Sequence, residues 1–375
     1  MPRVDNPLMP LPRQLVFIIT DLHIGGTPRL LRDLAAALAA PDSAFRPVVI
    51  SLKPLPPPCT GTTIPEQLRA AGVPVHTLDI TSPAGAVRGI FRLVTLLRRL
   101  GPDIVYSLLI HANLLVTLTV PLLARKTRFV QSFHTLQDRP AWHWRLQGMI
   151  APFADAIVVP AKPILDKMSR YGTFARGVVI PNGIDVDRFA APPAEVALDP
   201  EKLPWPRDAV VIGYVGRFDP VKNLPLLLRA FARLQTMLSQ ALAERLHLAL
   251  VGYGPEEEAA LRGLATSFHL GPPGSRIHFV GRTSSPEAWY KHFTCLCLPS
   301  SVEGFGLPLI EALAAGIPVV TARTAVSVGI LRELNEGRLV AELAPDSLAH
   351  ALQEVMTNVR APGEILRSRE RVRRE

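Results

Sequence analysis

The sequence predicts an α/β protein made of two doubly wound parallel-sheet domains, and three observations carry that expectation. Apolar runs of strand length alternate with amphipathic helical segments. The alternation breaks at a proline-rich stretch and then begins again. The length, 375 residues, exceeds what one hydrophobic core usually organises.

The first series starts at residues 14–20, QLVFIIT, an apolar run rich in β-branched and aromatic side chains. It leads into Gly25-Gly26 and a helical segment, 28–40, with Leu30, Leu31, Leu34 and Leu38 on one face. This is the opening of an α/β unit, with its loop at the carboxyl end of the strand, where such folds bind ligands. No G-x-G-x-x-G accompanies it, which argues against an NAD-dependent oxidoreductase. Gly25-Gly26 reads equally well as a plain turn or as a phosphate contact.

Strands at 46–52, 75–78 and 103–107 and helices at 65–71, 86–100 and 111–124 continue the series. The 86–100 helix sets Arg88, Arg92, Arg98 and Arg99 beside Ile90, Phe91, Leu93 and Leu97. That pattern fits an anionic membrane surface, although a sheet-covering helix with a solvated basic face is the preferred reading. A strand at 127–133 runs into His134, at the edge where an imidazole touches substrate or carries protons, as well as where core and surface histidines lie. A helix from 142, strands at 156–159 and 178–180, and the Asn182-Gly183 turn close the series.

Residues 191–207 carry five prolines, at 192, 193, 200, 204 and 206, and read as a linker. The expected division is therefore a first domain over 1–190, a linker over 191–208, a second domain over 209–360 and a basic tail over 361–375.

The second series opens with a strand at 210–215, the loop GRFDPVKN at 216–223 and a helix at 224–234. Arg217 and Lys222 sit in that loop, a planar fork and a point charge suited to neutralising a diphosphate. A strand at 246–251 meets Gly252-Tyr253-Gly254 and then Glu256, Glu257 and Glu258, whose carboxylates complement a helix dipole. A strand at 277–280 is followed by Gly281-Arg282. The most informative stretch comes next: a buried strand, 294–298, the turn Glu303-Gly304-Phe305-Gly306, and a helix starting near Pro308, with Glu311 in its first turn. Amides at such a turn and the helix dipole welcome an anion, while the two carboxylates accept hydroxyl donors. Phosphate on amides and hydroxyls on carboxylates is what a nucleotide sugar requires. A strand at 318–321, a helix after 347 and an Arg-rich tail after 362, read as a solvated terminus, complete the chain.

Composition narrows the choice further. Hydrophobic residues make up 48% of the chain, and the apolar run 108–124 is short for a membrane span and interrupted by His111, Asn113 and Pro121. Val4-Asp5-Asn6 and three early prolines precede the first apolar run, so no secretory signal is read and a cytoplasmic setting is expected. Cys59 stands alone, and Cys295 and Cys297 lack the further ligands of a zinc site, so core packing is their expected role. The net charge of +9 suits anionic partners such as nucleotide diphosphates or anionic lipid. With aromatics at 6% and no basic-aromatic interleaving, nucleic acid is not an expected partner.

Taken in order, Gly25-Gly26, His134, Asn182-Gly183-Ile184-Asp185, GRFDPVKN and Glu303-Gly304-Phe305-Gly306 with Glu311 resemble the retaining glycosyltransferases of family 4 over residues 15–350. The resemblance implies the GT-B fold, with two Rossmann-like domains facing across a cleft. It also implies that a hexosyl group moves from a nucleotide-diphosphate sugar to a hydroxyl acceptor, in cell-surface polysaccharide or glycolipid synthesis. It assigns Arg217 and Lys222 to the donor diphosphate, Glu303 to the donor sugar and Glu311 to the ribose hydroxyls. Phe305, Gly306 and Leu307, in the turn with Gly304, offer amides to sugar hydroxyls and phosphate. Val280, Gly281 and Arg282 line the base, together with Tyr253-Gly254, and Gly216 stands in the diphosphate loop. Gly25 and Gly26 let backbone approach the diphosphate, and His134 sits beside the transferring sugar. No metal and no cofactor are implied. The implied partners are the donor and a carbohydrate or lipid-linked acceptor, at the inner face of an anionic membrane. The acceptor would be read by loops 54–63 and 134–144. The sequence departs from the family at Pro160-Ala161, where a serine is expected, and in an Arg-rich tail without an aromatic. The rival readings are a nucleotide-sugar epimerase on the same fold and a non-catalytic nucleotide-sugar-binding protein.

Overall fold

The computed structural model describes residues 12–57, 62–82, 84–123, 127–137, 140–172, 176–270, 275–334, 337–357 and 362–374. Cys59 and parts of the loops at 54–63 and 134–144 lie outside them. The chain divides into two compact units, Met1–Pro181 and Asn182–Glu375.

The first unit holds seven strands: β1 (Arg13–Ile19), β2 (Phe45–Ser51), β3 (Val75–Thr77), β4 (Ile104–Leu108), β5 (Arg128–Ser132), β6 (Ala156–Val159) and β7 (Gly177–Val179). They form one sheet in the order β3-β2-β1-β4-β5-β6-β7, every pair parallel. β1 shows why an unbroken apolar run makes a central strand. Val16 and Ile18 enter the core on one side of the sheet, while Leu15, Phe17 and Ile19 enter the other, as the period of two requires when both faces are covered. The order of strand addition reverses between β1 and β4, the switch point where doubly wound sheets open a crevice.

The second unit repeats the plan with six strands: β8 (Val210–Arg217), β9 (Leu246–Tyr253), β10 (Ile277–Gly281), β11 (Cys295–Leu298), β12 (Val319–Ala322) and β13 (Arg338–Val340). Their order is β10-β9-β8-β11-β12-β13, again all parallel, so the switch point falls between β8 and β11. β8 and β9 approach so closely at their carboxyl ends that a Cβ on Gly252 would stand 1.8 Å from the Gly216 carbonyl oxygen. Cys295 and Cys297 are both buried in β11, and burial pushes the Cys295 thiol up to about 12.

Two segments differ from expectation. Residues 182–208, read as a domain end and linker, lie in the second unit. Val186, Phe189 and Trp205 join its core, and Arg188 Nε donates to Glu287 Oε1 at 2.7 Å. The tail forms the helix Pro362–Arg374 and is not a solvated terminus. Arg369 donates through Nε to the Ala314 carbonyl and through a terminal nitrogen to the Ala315 carbonyl, each at 3.0 Å. Arg371 donates to the Leu334 carbonyl at 2.8 Å. These are the last carbonyls of the helices Leu307–Ala315 and Ala325–Leu334, acceptors that no intrahelical amide satisfies.

Candidate functional site

At the switch point of the second unit, β8 ends on Arg217, and a 3₁₀ turn, Pro220–Lys222, carries the lysine. Asp219 opens that turn and accepts from the Val221 amide at 3.2 Å. Asn223 closes it in the left-handed region, with φ of 53°, which asparagine tolerates better than most residues. β11 ends next to β8, and its following loop is tied to the lysine turn by backbone. The Ser301 amide and hydroxyl both donate to the Val221 carbonyl, at 2.8 and 3.1 Å.

This tie sets Lys222 against Glu303. Lys222 Nζ lies 2.9 Å from both carboxylate oxygens, with the side chains 19% and 10% exposed. Arg217 is different: its side chain is 63% exposed, and its nearest carboxylate, Asp219, is 3.6 Å away. The second unit thus offers one shielded cation that is internally compensated and one open to solvent. Tyr214 lies beneath them and donates to the Arg217 carbonyl at 2.7 Å. Burial, then the negative charge of Glu303, holds its phenol well above the usual range.

The turn 304–306 enters the helix Leu307–Ala315 through Gly306 at φ of 82°, a conformation a side chain resists. No side chain caps this helix start; Pro308 has no N–H and the Leu309 amide donates to the Gly306 carbonyl at 2.9 Å, which leaves the Leu307 amide as the first-turn donor for an anion. Pro308 occupies the first turn as expected. Glu311, expected in that turn, is instead the fifth residue of the helix. It is fully buried and accepts from the Tyr290 hydroxyl at 2.6 Å. Ser300, at the end of β11, is buried with a hydroxyl that has no hydrogen-bond partner among the described residues.

At the carboxyl ends of β9 and β10, the Arg282 guanidinium lies 4.4 Å over the Tyr253 ring, forming a flat platform suited to stacking a base. Gly281 bends the chain there at φ of 88°, following a register shift between Phe279 and Gly281. Val280 packs against the core.

In the first unit, Gly25 precedes the helix Gly26–Leu38 in extended backbone, and a Cβ on it would make only ordinary contacts, at 3.6 and 3.9 Å. The fold therefore places no demand for glycine at Gly25. His134 lies just beyond β5, its Nε2 2.7 Å from the Ser132 hydroxyl. The Ser132 hydroxyl has one proton and two acceptors in reach, Nε2 and the Val158 carbonyl at 3.1 Å, so the contact is compatible with either neutral tautomer of His134. Burial lowers the His134 pKa to about 4, which makes the ring neutral at pH 7.

The sequence reading missed Tyr214, Tyr290, Asp219 and Ser301. Asp219 stands within the GRFDPVKN loop, but nothing in spacing marks an aspartate as a turn cap that also faces an arginine. Tyr290 acts on a carboxylate 21 residues away, and Tyr214 bonds a backbone carbonyl three residues on, so neither leaves a mark in side-chain pattern. Among the described residues, no three His, Cys, Asp or Glu side chains group as a metal site, and no helix is long and apolar enough to cross a membrane.

Residues 24–188 match the family model described as Glycosyltransferase Family 4, and residues 195–372 match Glycosyl transferases group 1. A D-inositol 3-phosphate glycosyltransferase of a Nocardioides species is 33% identical over 193 residues, 49% of this chain and 42% of the relative. A phosphatidyl-myo-inositol mannosyltransferase of Mycobacterium tuberculosis is 28% identical over 246 residues, 64% of this chain and 60% of the relative. The chain thus spans less than two thirds of the length of either curated relative. Among solved structures, Anabaena Alr3699/HepE in complex with UDP and glucose superposes with a TM-score of 0.79 at 16% identity, covering 96% of this chain and 95% of that one. That likeness establishes the fold.

Proposed function

Because the chain belongs to the family 4 glycosyltransferases of GT-B fold, we propose that it moves a hexosyl group from a nucleotide-diphosphate sugar to a hydroxyl acceptor with retention of configuration. The observation that carries this reading is the pairing of Lys222 with Glu303 beside the exposed Arg217 at the β8/β11 switch point. Cations for phosphate and a carboxylate for hydroxyls meet where a doubly wound sheet binds its ligand.

In the proposed reaction, Arg217 and Lys222 stabilise charge on the departing diphosphate. Amides of residues 305–307 face the sugar and phosphate, with Gly304 and Gly216 giving the turns their reach. Tyr253, Val280, Gly281 and Arg282 receive the base. Glu311 serves the ribose hydroxyls, with Tyr290 fixing its carboxylate. The family resemblance also gives Gly25, Gly26 and His134 donor roles, the histidine as a neutral imidazole. The bond from the anomeric carbon to phosphate oxygen breaks, and the acceptor oxygen bonds on the same face. The acceptor proton passes to the departing phosphate oxygen. Nothing in this scheme calls for a metal or a cofactor.

The relatives' names motivate a carbohydrate or inositol-type acceptor, lipid-linked in the mannosyltransferase case, and with it a role in cell-surface glycolipid or polysaccharide synthesis. One feature of the first unit supports a lipid surface nearby. On the helix Gly85–Leu100, Val87 and Phe91 are 60% and 71% exposed, with Arg88 and Arg92 next to them on one side. Peripheral attachment at the inner face of a membrane is the localisation proposed.

The test is incubation with UDP-, GDP- and ADP-hexoses, with and without sugar and inositol acceptors. Acceptor-dependent release of nucleoside diphosphate, with the donor's anomeric configuration kept in the product, supports the reading. Donor isomerisation without acceptor supports the epimerase instead, and binding without turnover supports the non-catalytic protein.

A further inference from the structure

Resting on the donor assignment above, we propose that Glu303 discriminates between sugar-bearing and bare nucleotides by acting as an internal counter-anion for Lys222.

The pairing is built into the backbone. Lys222 reaches both oxygens of Glu303 at 2.9 Å because Ser301 holds its own loop onto the Val221 carbonyl with two hydrogen bonds. Asp219 in turn fixes the start of the lysine turn. Both charged groups are largely withdrawn from water. In such surroundings, removing one partner is far more costly than having formed the pair, because the other is left as an uncompensated charge.

A diphosphate that engages Lys222 must take it from Glu303. A bare nucleoside diphosphate supplies anionic oxygens for the lysine but nothing for the carboxylate, which accepts hydrogen bonds and cannot donate them. A nucleotide sugar supplies both, since its hydroxyls donate to Glu303 as its phosphate takes Lys222. The exchange is therefore compensated only when the hexose is attached. Once the hexose has been transferred, Glu303 loses its hydroxyl donors and competes again for Lys222. That competition weakens the hold on the product nucleotide and promotes its release.

The experiment is calorimetric titration of the full chain with UDP, GDP and ADP and with the matching nucleotide hexoses. The proteins are native, Glu303→Gln, Glu303→Ser, Lys222→Ala and the double variant Lys222→Ala/Glu303→Gln, with folding checked by circular dichroism. Neutralising Glu303 is expected to tighten the bare nucleotide about tenfold, which is about 1.4 kcal/mol, without tightening the nucleotide hexose. In the Lys222→Ala background the same change is expected to do nothing. Unchanged or weaker binding of the bare nucleotide by both folded Glu303 variants overturns the proposal, as does equal tightening of the two ligand classes. Tightening that survives loss of Lys222 also overturns it. Native protein that binds none of the nucleotide hexoses sinks the donor assignment itself and this inference with it. Native binding with an unaltered ratio sinks this inference alone.

Discussion

The Tyr290 hydroxyl donates to Glu311 Oε2 at 2.6 Å, and both side chains are fully buried. A short bond to a charged acceptor in a dry setting is worth more than a neutral one. It also orders the carboxylate of the helix that starts at the anion-welcoming turn. Tyr290→Phe removes one donor and keeps the ring. It is expected to lower stability by about 1.5–3 kcal/mol, read as a fall in the urea midpoint. Glu311→Gln, which removes the charge while keeping an acceptor oxygen, is expected to cost less than Glu311→Leu. A Tyr290→Phe protein as stable as native would show that the bond contributes little.

Arg217 separates function from stability. Its guanidinium is largely solvated, and its contact with Asp219 spans 3.6 Å, so removing it is expected to shift stability by no more than about 0.5 kcal/mol. If it stabilises the leaving diphosphate, Arg217→Ala is expected to lower turnover by about 10²-fold. Arg217→Lys is expected to recover only part of the loss, because a point charge cannot reproduce the planar fork. Full activity in the alanine variant would remove Arg217 from the mechanism.

Two glycines give opposite expectations. At Gly252 a Cβ would overlap the Gly216 carbonyl oxygen, so Gly252→Ala is expected to lower the melting temperature sharply by parting β8 from β9. At Gly25 a Cβ meets only ordinary contacts and the backbone is extended. Gly25→Ala is therefore expected to fold like native and yet to bind nucleotide hexoses more weakly, as titration would show. An alanine at Gly25 with native donor affinity would reduce that residue to a plain turn.

These contrasts also show what could be read from residues alone. Most of the central strands were legible because parallel strands covered on both faces are continuous apolar runs, as in β1 and β11. The helix Ala325–Leu334 and the short β13 escaped although both are punctuated: Thr324 accepts from the Ser327 amide at 3.0 Å ahead of the helix, and Gly337, at φ of 79°, precedes β13. The tail was misread because the partners of Arg369 and Arg371 are backbone carbonyls at helix ends, which leave no mark in side-chain pattern. In the site, the loop chemistry of Arg217, Lys222 and Glu303 was legible as a set of residue types. That Lys222 would close on Glu303 depends on the adjacency of β8 and β11, a property of topology. Glu311 was visible as a carboxylate, but its burial against Tyr290 was not.

Acid sensitivity follows from the histidines. Burial lowers His134 and His278 from 6.5 to about 4, and His278 also faces the His247 ring at 2.9 Å between nitrogens. Between those values the unfolded chain binds protons that the folded chain refuses, so stability rises with pH across this window. The contribution is complete above pH 6.5 and is lost as pH falls towards 4. A melting-temperature series is expected to decline over that range for native protein and to decline less for His278→Gln. A variant curve parallel to native would place the acid sensitivity elsewhere.

The exposed face of the helix Gly85–Leu100 decides between its two readings. Solvated arginines alone would bind anionic vesicles weakly, with a dependence on salt and none on apolar side chains. If Val87 and Phe91 enter the acyl boundary beside Arg88 and Arg92, both classes of side chain contribute. Cosedimentation with phosphatidylglycerol vesicles is then expected to fall on Phe91→Ser, and further on adding Val87→Ser, at constant net charge. Arg88→Gln/Arg92→Gln is expected to abolish the preference for anionic over zwitterionic vesicles. Because both apolar side chains are solvent-exposed, their serine variants are expected to retain native stability, so lost binding would report the surface and not the fold. Vesicle binding indifferent to Phe91 would return this helix to a solvated basic face.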